Sequence, residues 1–180
     1  MTDESILFLT ANGEKLKLSH AVILKMTEYR QNAYWKTEAG GILLGRHIIE
    51  SKDIIVDSIS APLSGDKQTR FSFFRKAKRH QKMIDKAWHE SNGTLNYLGE
   101  WHTHPESLPS PSNIDLRNWK RKLKQDQFYG DYLYFIIVGI QEIFVWEGCK
   151  SAYIAFPDWI MTKLTAMLKT IFGIQRSNSF

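Results

Sequence analysis

Cysteine is almost missing: Cys149 is the only one in 180 residues. No internal disulfide can form, which excludes a small secreted domain held by staples and points to a reducing compartment. No stretch approaches the ~18 consecutive apolar residues of a membrane-spanning helix. The opening MTDESILFLTANGEKLKLSH sets two acids before a short apolar patch. An export leader wants basic residues and then a longer apolar run, so a cytoplasmic protein with no membrane partner is expected. No internal repeat, no Pro/Gly/Ser-rich linker and no compositional break divides the chain, so residues 1–180 are expected to form one domain. Also absent are His-Glu-x-x-His, Gly-x-Ser-x-Gly and a Walker phosphate loop.

What is present is ordinary for a soluble enzyme: 43% hydrophobic, 24% charged and 13% aromatic residues. That composition excludes disorder and low complexity. The net charge of +5 comes with two basic clusters. One runs through Arg75, Lys76, Lys78, Arg79, Lys82 and Lys86, the other through Arg117, Lys120, Arg121, Lys122 and Lys124. Such clusters can meet nucleic acid or an acidic partner. The plainer reading is two solvated helix faces, so nucleic acid is not the expected partner.

The apolar periodicity predicts a helix over 19–32, capped by Ser19, and strands over 38–49 and 53–60 paired around residues 50–52. The glycines of EAGGILLG suggest close backbone neighbours. A short strand at Phe71–Phe74 precedes a helix over 75–90, with Ala77, Met83, Ile84, Ala87 and Trp88 expected inside. A strand over 96–105 stops at Pro105, because proline cannot continue a ladder. After a Ser/Pro-rich loop, Ser112 opens a helix of about 12 residues. Residues 131–140 read as a central strand. IFVWEG and SAYIAF follow, and 158–172 reads as an amphipathic helix. This order fits an α/β or α+β mixed sheet flanked by helices and excludes a simple alternating βαβ fold.

His102 and His104 lie two apart on a strand, so their side chains leave the same face. Two imidazoles so placed can bind one metal ion. Ser112 and Asp115 share a face on the first turn of a helix. If the loop from Pro105 to Pro111 folds that turn over the strand end, Asp115 can supply a third ligand. Two histidines, a carboxylate and an open position suit a catalytic zinc site. Each part has a plainer reading: an incidental His-x-His, a Ser-x-x-Asp capping box, a merely stiff loop. The combined spacing H-x-H-x(7)-S-x-x-D is what weakens them together.

The string EWHTHPESLPSPSNID, with TEAGGILLG upstream, resembles the JAMM motif of JAB/MPN-domain metalloproteases over about residues 19–156. The resemblance implies a JAB/MPN, cytidine-deaminase-like fold and one zinc ion held by His102, His104 and Asp115. It gives Glu38 the role of general base, taking a proton from water and handing it to the leaving amine. Ser112 would donate a hydrogen bond to the oxyanion. Glu100, two before His102, is a candidate to orient an imidazole. Thr103 stands where eukaryotic members commonly carry serine and points to the opposite face. Cys149 reads as structural.

Members of this family cut amide bonds at the C-terminus of ubiquitin or ubiquitin-like proteins. The chain lacks the long insertions of eukaryotic members and looks most like the deconjugating peptidases of bacterial CBASS anti-phage operons. The implied substrate is a protein with an extended C-terminal tail, a conjugated CD-NTase, its tail lying as an added strand near Phe71–Phe74 or the Ser/Pro loop. Two alternatives stay open at this level. One is a maturation protease trimming a ubiquitin-like or sulfur-carrier precursor. The other is a non-catalytic JAB-like module for nucleic acid or protein.

Overall fold

The computed structural model describes residues 5–151 and the backbone of residues 162–163. It begins with a hairpin not among the elements expected above. β1 (Ile6–Leu9) and β2 (Lys15–Leu18) pair antiparallel. Gly13 turns between them at φ +83°, a conformation that glycine adopts at no steric cost. Ile6, Phe8, Leu16 and Leu18 are buried, and Lys15 and Lys17 alternate with the two leucines to face outward.

α1 (His20–Thr27) starts on Ser19, whose Oγ accepts from the Val22 amide at 3.4 Å. It ends at Thr27 rather than near residue 32. The amides of Tyr29 and Arg30 reach back three residues, to Met26 and Thr27, so the last turn tightens and leaves the α-helix. β3 (Gly40–His47) and β4 (Ile54–Ile59) form the expected antiparallel pair.

β5 (Lys67–Thr69) and β6 (Ser72–Phe74) make a separate small hairpin. α2 (Ala77–Glu90) follows. Met83, Ile84 and Ala87 pack inward as expected. Ala77 is exposed and Trp88 is half-exposed, whereas His80 is fully buried. The helix turns its polar His80 inward because Ser60 and Asp66 both hydrogen-bond to its ring.

β7 (Asn96–Thr103), α3 (Asn113–Gln125), β8 (Tyr132–Val138) and β9 (Ile143–Cys149) follow, with β10 (Thr162–Lys163) on the far edge of the described sheet. The large sheet runs β10-β1-β2-β4-β3-β7-β8-β9. Among the described strands of this sheet only β2–β4 and β7–β8 are parallel, so the sheet is mixed. Of the helix expected over 158–172, Thr162 and Lys163 are strand, paired with Leu9 and Phe8; the otherwise open edge of β1 supplies the ladder partners. The rest of that segment and residues 152–156 of the SAYIAF strand lie outside the described residues.

Each face of the sheet carries its own core. α1 buries Val22, Ile23 and Met26 with Leu43, Trp101 and Ile136 on one side. On the other, Trp119 of α3 stacks on Phe135, ring centroids 4.6 Å apart and planes 11° from parallel. Fully burying side chains of this size stabilises the fold by about 1.5–3 kcal/mol each.

This packing sets the ends of β3 and β7 side by side, with Gly40 opposite His102. A Cβ at Gly40 would press on the Trp101 carbonyl, the Phe73 ring and the Cβ of His102. Glycine there is what lets β3, which begins two residues after Glu38, lie against β7 at His102.

Candidate metal centre

β7 delivers His102 and His104 to one face, as the two-residue spacing requires, and β8 fixes its end: the His104 amide donates to the Val138 carbonyl at 3.0 Å. The loop after Pro105 is tied to the β8–β9 turn, where the Ile140 amide donates to the Glu106 carbonyl at 2.7 Å. The Ser110 amide donates to the Glu106 carboxylate at 2.9 Å. The start of α3 is thereby folded over the end of β7. The capping box is real: Ser112 Oγ accepts from the Asp115 amide at 3.2 Å, and the Ser112 amide donates to Asp115 Oδ2 at 2.7 Å. Ser112 Oγ also donates to the same Oδ2, at 2.6 Å.

The structure brings all five sequence-predicted site residues together. His102 Nε2 and His104 Nε2 are 3.1 Å apart. Asp115 Oδ1 is 3.4 Å from His102 Nε2, and its Oδ2 is 3.5 Å from His104 Nε2. A tetrahedral ion with ligands at about 2.0–2.2 Å sets them roughly 3.3–3.5 Å from one another. The two Asp115 contacts fall in that range, one carboxylate oxygen toward each imidazole, and the imidazole nitrogens stand slightly closer together. Glu38 Oε1 stands farther off, 3.9 Å from His102 Nε2, although Glu38, His102 and His104 also form a cluster within 4.8 Å. Both carboxylates can thus approach an ion, and Asp115 fits the ligand spacing better.

The electrostatics separate the two acids. Burial pushes the Glu38 carboxyl upward, with the imidazoles of His102 and His104 pulling the other way. For Asp115 burial also pushes up, but hydrogen bonds from His102 and His104 overcome it and hold the carboxyl well below the usual range. Burial works to lower His102; the hydrogen bond to Asp115 and the nearby acids outweigh it, and its pKa ends raised. The two carboxyls are thus shifted in opposite directions, Asp115 down and Glu38 up.

Sequence reasoning missed what holds Glu38. Its amide donates to the Thr69 carbonyl at 2.7 Å, and Gln68 Nε2 donates to its own carbonyl at 3.0 Å. The next amide, Ala39, donates to Thr103 Oγ1 at 3.0 Å, and Thr103 Oγ1 donates to Gln31 Oε1 at 3.2 Å. Thr103 does face away from the metal centre, and from there it fixes the segment that carries Glu38. Glu100 shares a face with His102, but its carboxylate goes to Arg75 and to Lys122 Nζ. That salt bridge takes the place of the expected bond to an imidazole. No local pattern could have signalled either contact, since both depend on the tertiary arrangement.

Two cavities open on the centre. The one of about 410 Å³ lies on the His104 side and is lined by Ser112, Pro105, Ile114 and the aromatics Phe71, Phe73 and Phe74. The other, about 260 Å³, lies on the His102 side and is lined by Arg75, Glu100, Trp119, Arg121 and Lys122. Glu38 and Asp115 border both.

The family described as prokaryotic homologs of the JAB domain matches residues 20–148. A protein of Escherichia coli named CD-NTase/cGAS isopeptidase is 30% identical over 84% of this chain and 93% of its own length. A protein of the same name from Vibrio cholerae serotype O1 is 33% identical over 84% of this chain and 92% of its own. The solution structure of a Desulfitobacterium hafniense protein has a similar fold, with a TM-score of 0.52 at 23% identity, covering 74% of this chain and 84% of that one. The chain belongs to the family of prokaryotic homologs of the JAB domain.

Proposed function

We propose that the chain is a cytoplasmic, zinc-dependent isopeptidase. It hydrolyses the amide bond between the C-terminus of a CD-NTase and a lysine of the protein to which it is conjugated. The observation that carries this reading is the spacing of His102, His104 and Asp115, at 3.1–3.5 Å, with a second, buried carboxylate, Glu38, beside them. The names of the curated relatives supply the substrate class.

His102, His104 and Asp115 would hold the ion, whose nitrogen and carboxylate donor set suits zinc. Bound there, it polarises a carbonyl and acidifies water. Glu38 takes a proton from water and gives it to the leaving nitrogen, a role served by its raised pKa and its place bordering both cavities. Ser112 Oγ–H turns from Asp115 to the carbonyl oxygen as negative charge develops there. The tail lies in the aromatic cavity. β6 pairs only with β5 among the described residues, so an extended tail can add a strand to its other edge.

The test is a conjugate of a CD-NTase tail to a lysine side chain, beside the same tail with a peptide-bonded C-terminal extension. Cleavage of the first, abolished by a chelator and restored by zinc, is expected. Cleavage of the extension alone would replace this reading by a maturation protease. Bound zinc with neither substrate cut would overturn the substrate assignment.

A further inference from the structure

The cavity on the His102 side has a chemistry that metal ligation does not account for. Glu100 of β7 sits between Arg75 and Lys122, and the three side chains are only 17%, 15% and 12% exposed. Lys122 Nζ lies 2.7 Å from Glu100 Oε1. One carboxylate thus fixes two cation heads in a largely desolvated wall. Arg121, one residue before Lys122, lines the same cavity and has no anionic partner among the described residues. Arg75, Arg121 and Lys122 face Glu100, Asp126 lies 4.0 Å from Lys122 Nζ, and the other two acids of the cavity, Glu38 and Asp115, are turned to the histidines. The wall away from the metal centre therefore keeps one positive charge in surplus, that of Arg121. Lys120, on the same helix, does not line the cavity, so the surplus belongs to a particular face rather than to the helix as a whole.

The two cavities divide the substrate. Ser112, which serves the carbonyl oxygen, borders only the aromatic cavity, as does Phe71 of the small hairpin. The acyl tail belongs there, and the leaving nitrogen lies toward His102. Resting on the isopeptidase reading, we propose that the charged cavity is the subsite for the acceptor protein. It selects a lysine flanked by an acidic side chain, whose carboxylate meets Arg121 and the outer edge of the Arg75–Glu100–Lys122 cluster. The lysine's own nitrogen is a neutral amide before cleavage, so the positive wall does not repel it. A basic flank is repelled, and rejection by like charge is as much a source of selectivity as attraction.

The test uses three isopeptide reporters with one tail, the modified lysine flanked by Glu, Gly or Lys. With the zinc-loaded chain, kcat/KM is expected to fall in that order, by about tenfold from Glu to Lys. The spread should shrink at high salt. Arg121→Glu is expected to invert the order, while Lys120→Glu, outside the cavity, keeps it. The same order in Arg121→Glu, or no dependence on the flank, would overturn the proposal. A binding arm separates this from failure of the isopeptidase reading: fluorescence anisotropy of the uncoupled Glu- and Lys-flanked peptides on the zinc-loaded chain. Tighter binding of the Glu-flanked peptide supports the subsite even if no reporter is cut, and equal binding sinks it.

Discussion

Thr103→Val should be among the costliest substitutions of nearly equal volume in the protein, although residue 103 faces away from His102 and His104. The Thr103 hydroxyl is fully buried. It accepts from the Ala39 amide at 3.0 Å and donates to Gln31 Oε1 at 3.2 Å. Valine keeps the shape and removes the oxygen, so a buried donor and a buried acceptor both lose their partner. Each such loss costs about 1–3 kcal/mol, and we expect about 2–4 kcal/mol in total. In a domain of this size that lowers Tm by roughly 6–12 °C. Thr103→Ser keeps the hydroxyl and forfeits one methyl group, about 1 kcal/mol. Urea unfolding followed by tryptophan fluorescence gives both values. Valine is expected to be less stable than serine by about 2 kcal/mol. A valine variant as stable as the serine one would show that Ala39 and Gln31 find other partners, and would refute the role given to this residue.

Three further outcomes are expected. The buried His80 has its pKa lowered, mainly by burial, and Asp66 is held low by hydrogen bonds from Leu63, Lys76 and His80 that outweigh burial. Both contributions are present above the unfolded pKa values and are lost as pH falls. The His80 share is lost first, on descending below about 6.5. The unfolding free energy of the native chain should therefore drop more between pH 7.5 and 5 than that of His80→Gln; equal drops would deny the linkage. Phe71→Ser and Phe74→Ser, at residues 74% and 55% exposed, should change stability by no more than about 0.5 kcal/mol. They should raise KM for the conjugate severalfold, and an unchanged KM would remove the tail from that cavity. Ser112→Ala should cost about 1 kcal/mol of stability as a lost cap and about 10²–10³ in kcat as a lost oxyanion donor. A loss of stability alone would leave Ser112 as a cap.

The grouping of His102, His104, Ser112 and Asp115 was legible in the sequence because each pair depends on local periodicity. His102 and His104 share a face through the two-residue strand repeat, and Ser112 and Asp115 through the first turn of a helix. The glycines after Glu38 signalled a close backbone approach, which the packing at Gly40 shows. The β1–β2 hairpin left a usable signal, Asn12-Gly13 between strands in which Lys15 and Lys17 alternate with Leu16 and Leu18, but each strand is only four residues long. β5 left none, since all three of its residues are exposed. The basic clusters were mostly solvated faces, as the plainer reading held, but Arg75 and Lys122 turn inward to Glu100. That choice is made between elements far apart in the chain, where no spacing rule reaches.

The roles of the two acids at the centre are the core of this account, and metal analysis with activity on Glu38→Gln and Asp115→Asn tests them together. Glu38→Gln is predicted to keep one zinc per chain and lose about 10²–10⁴ in kcat. Asp115→Asn is predicted to lose both zinc and activity. Zinc lost from Glu38→Gln and kept by Asp115→Asn would exchange the two roles and contradict the account.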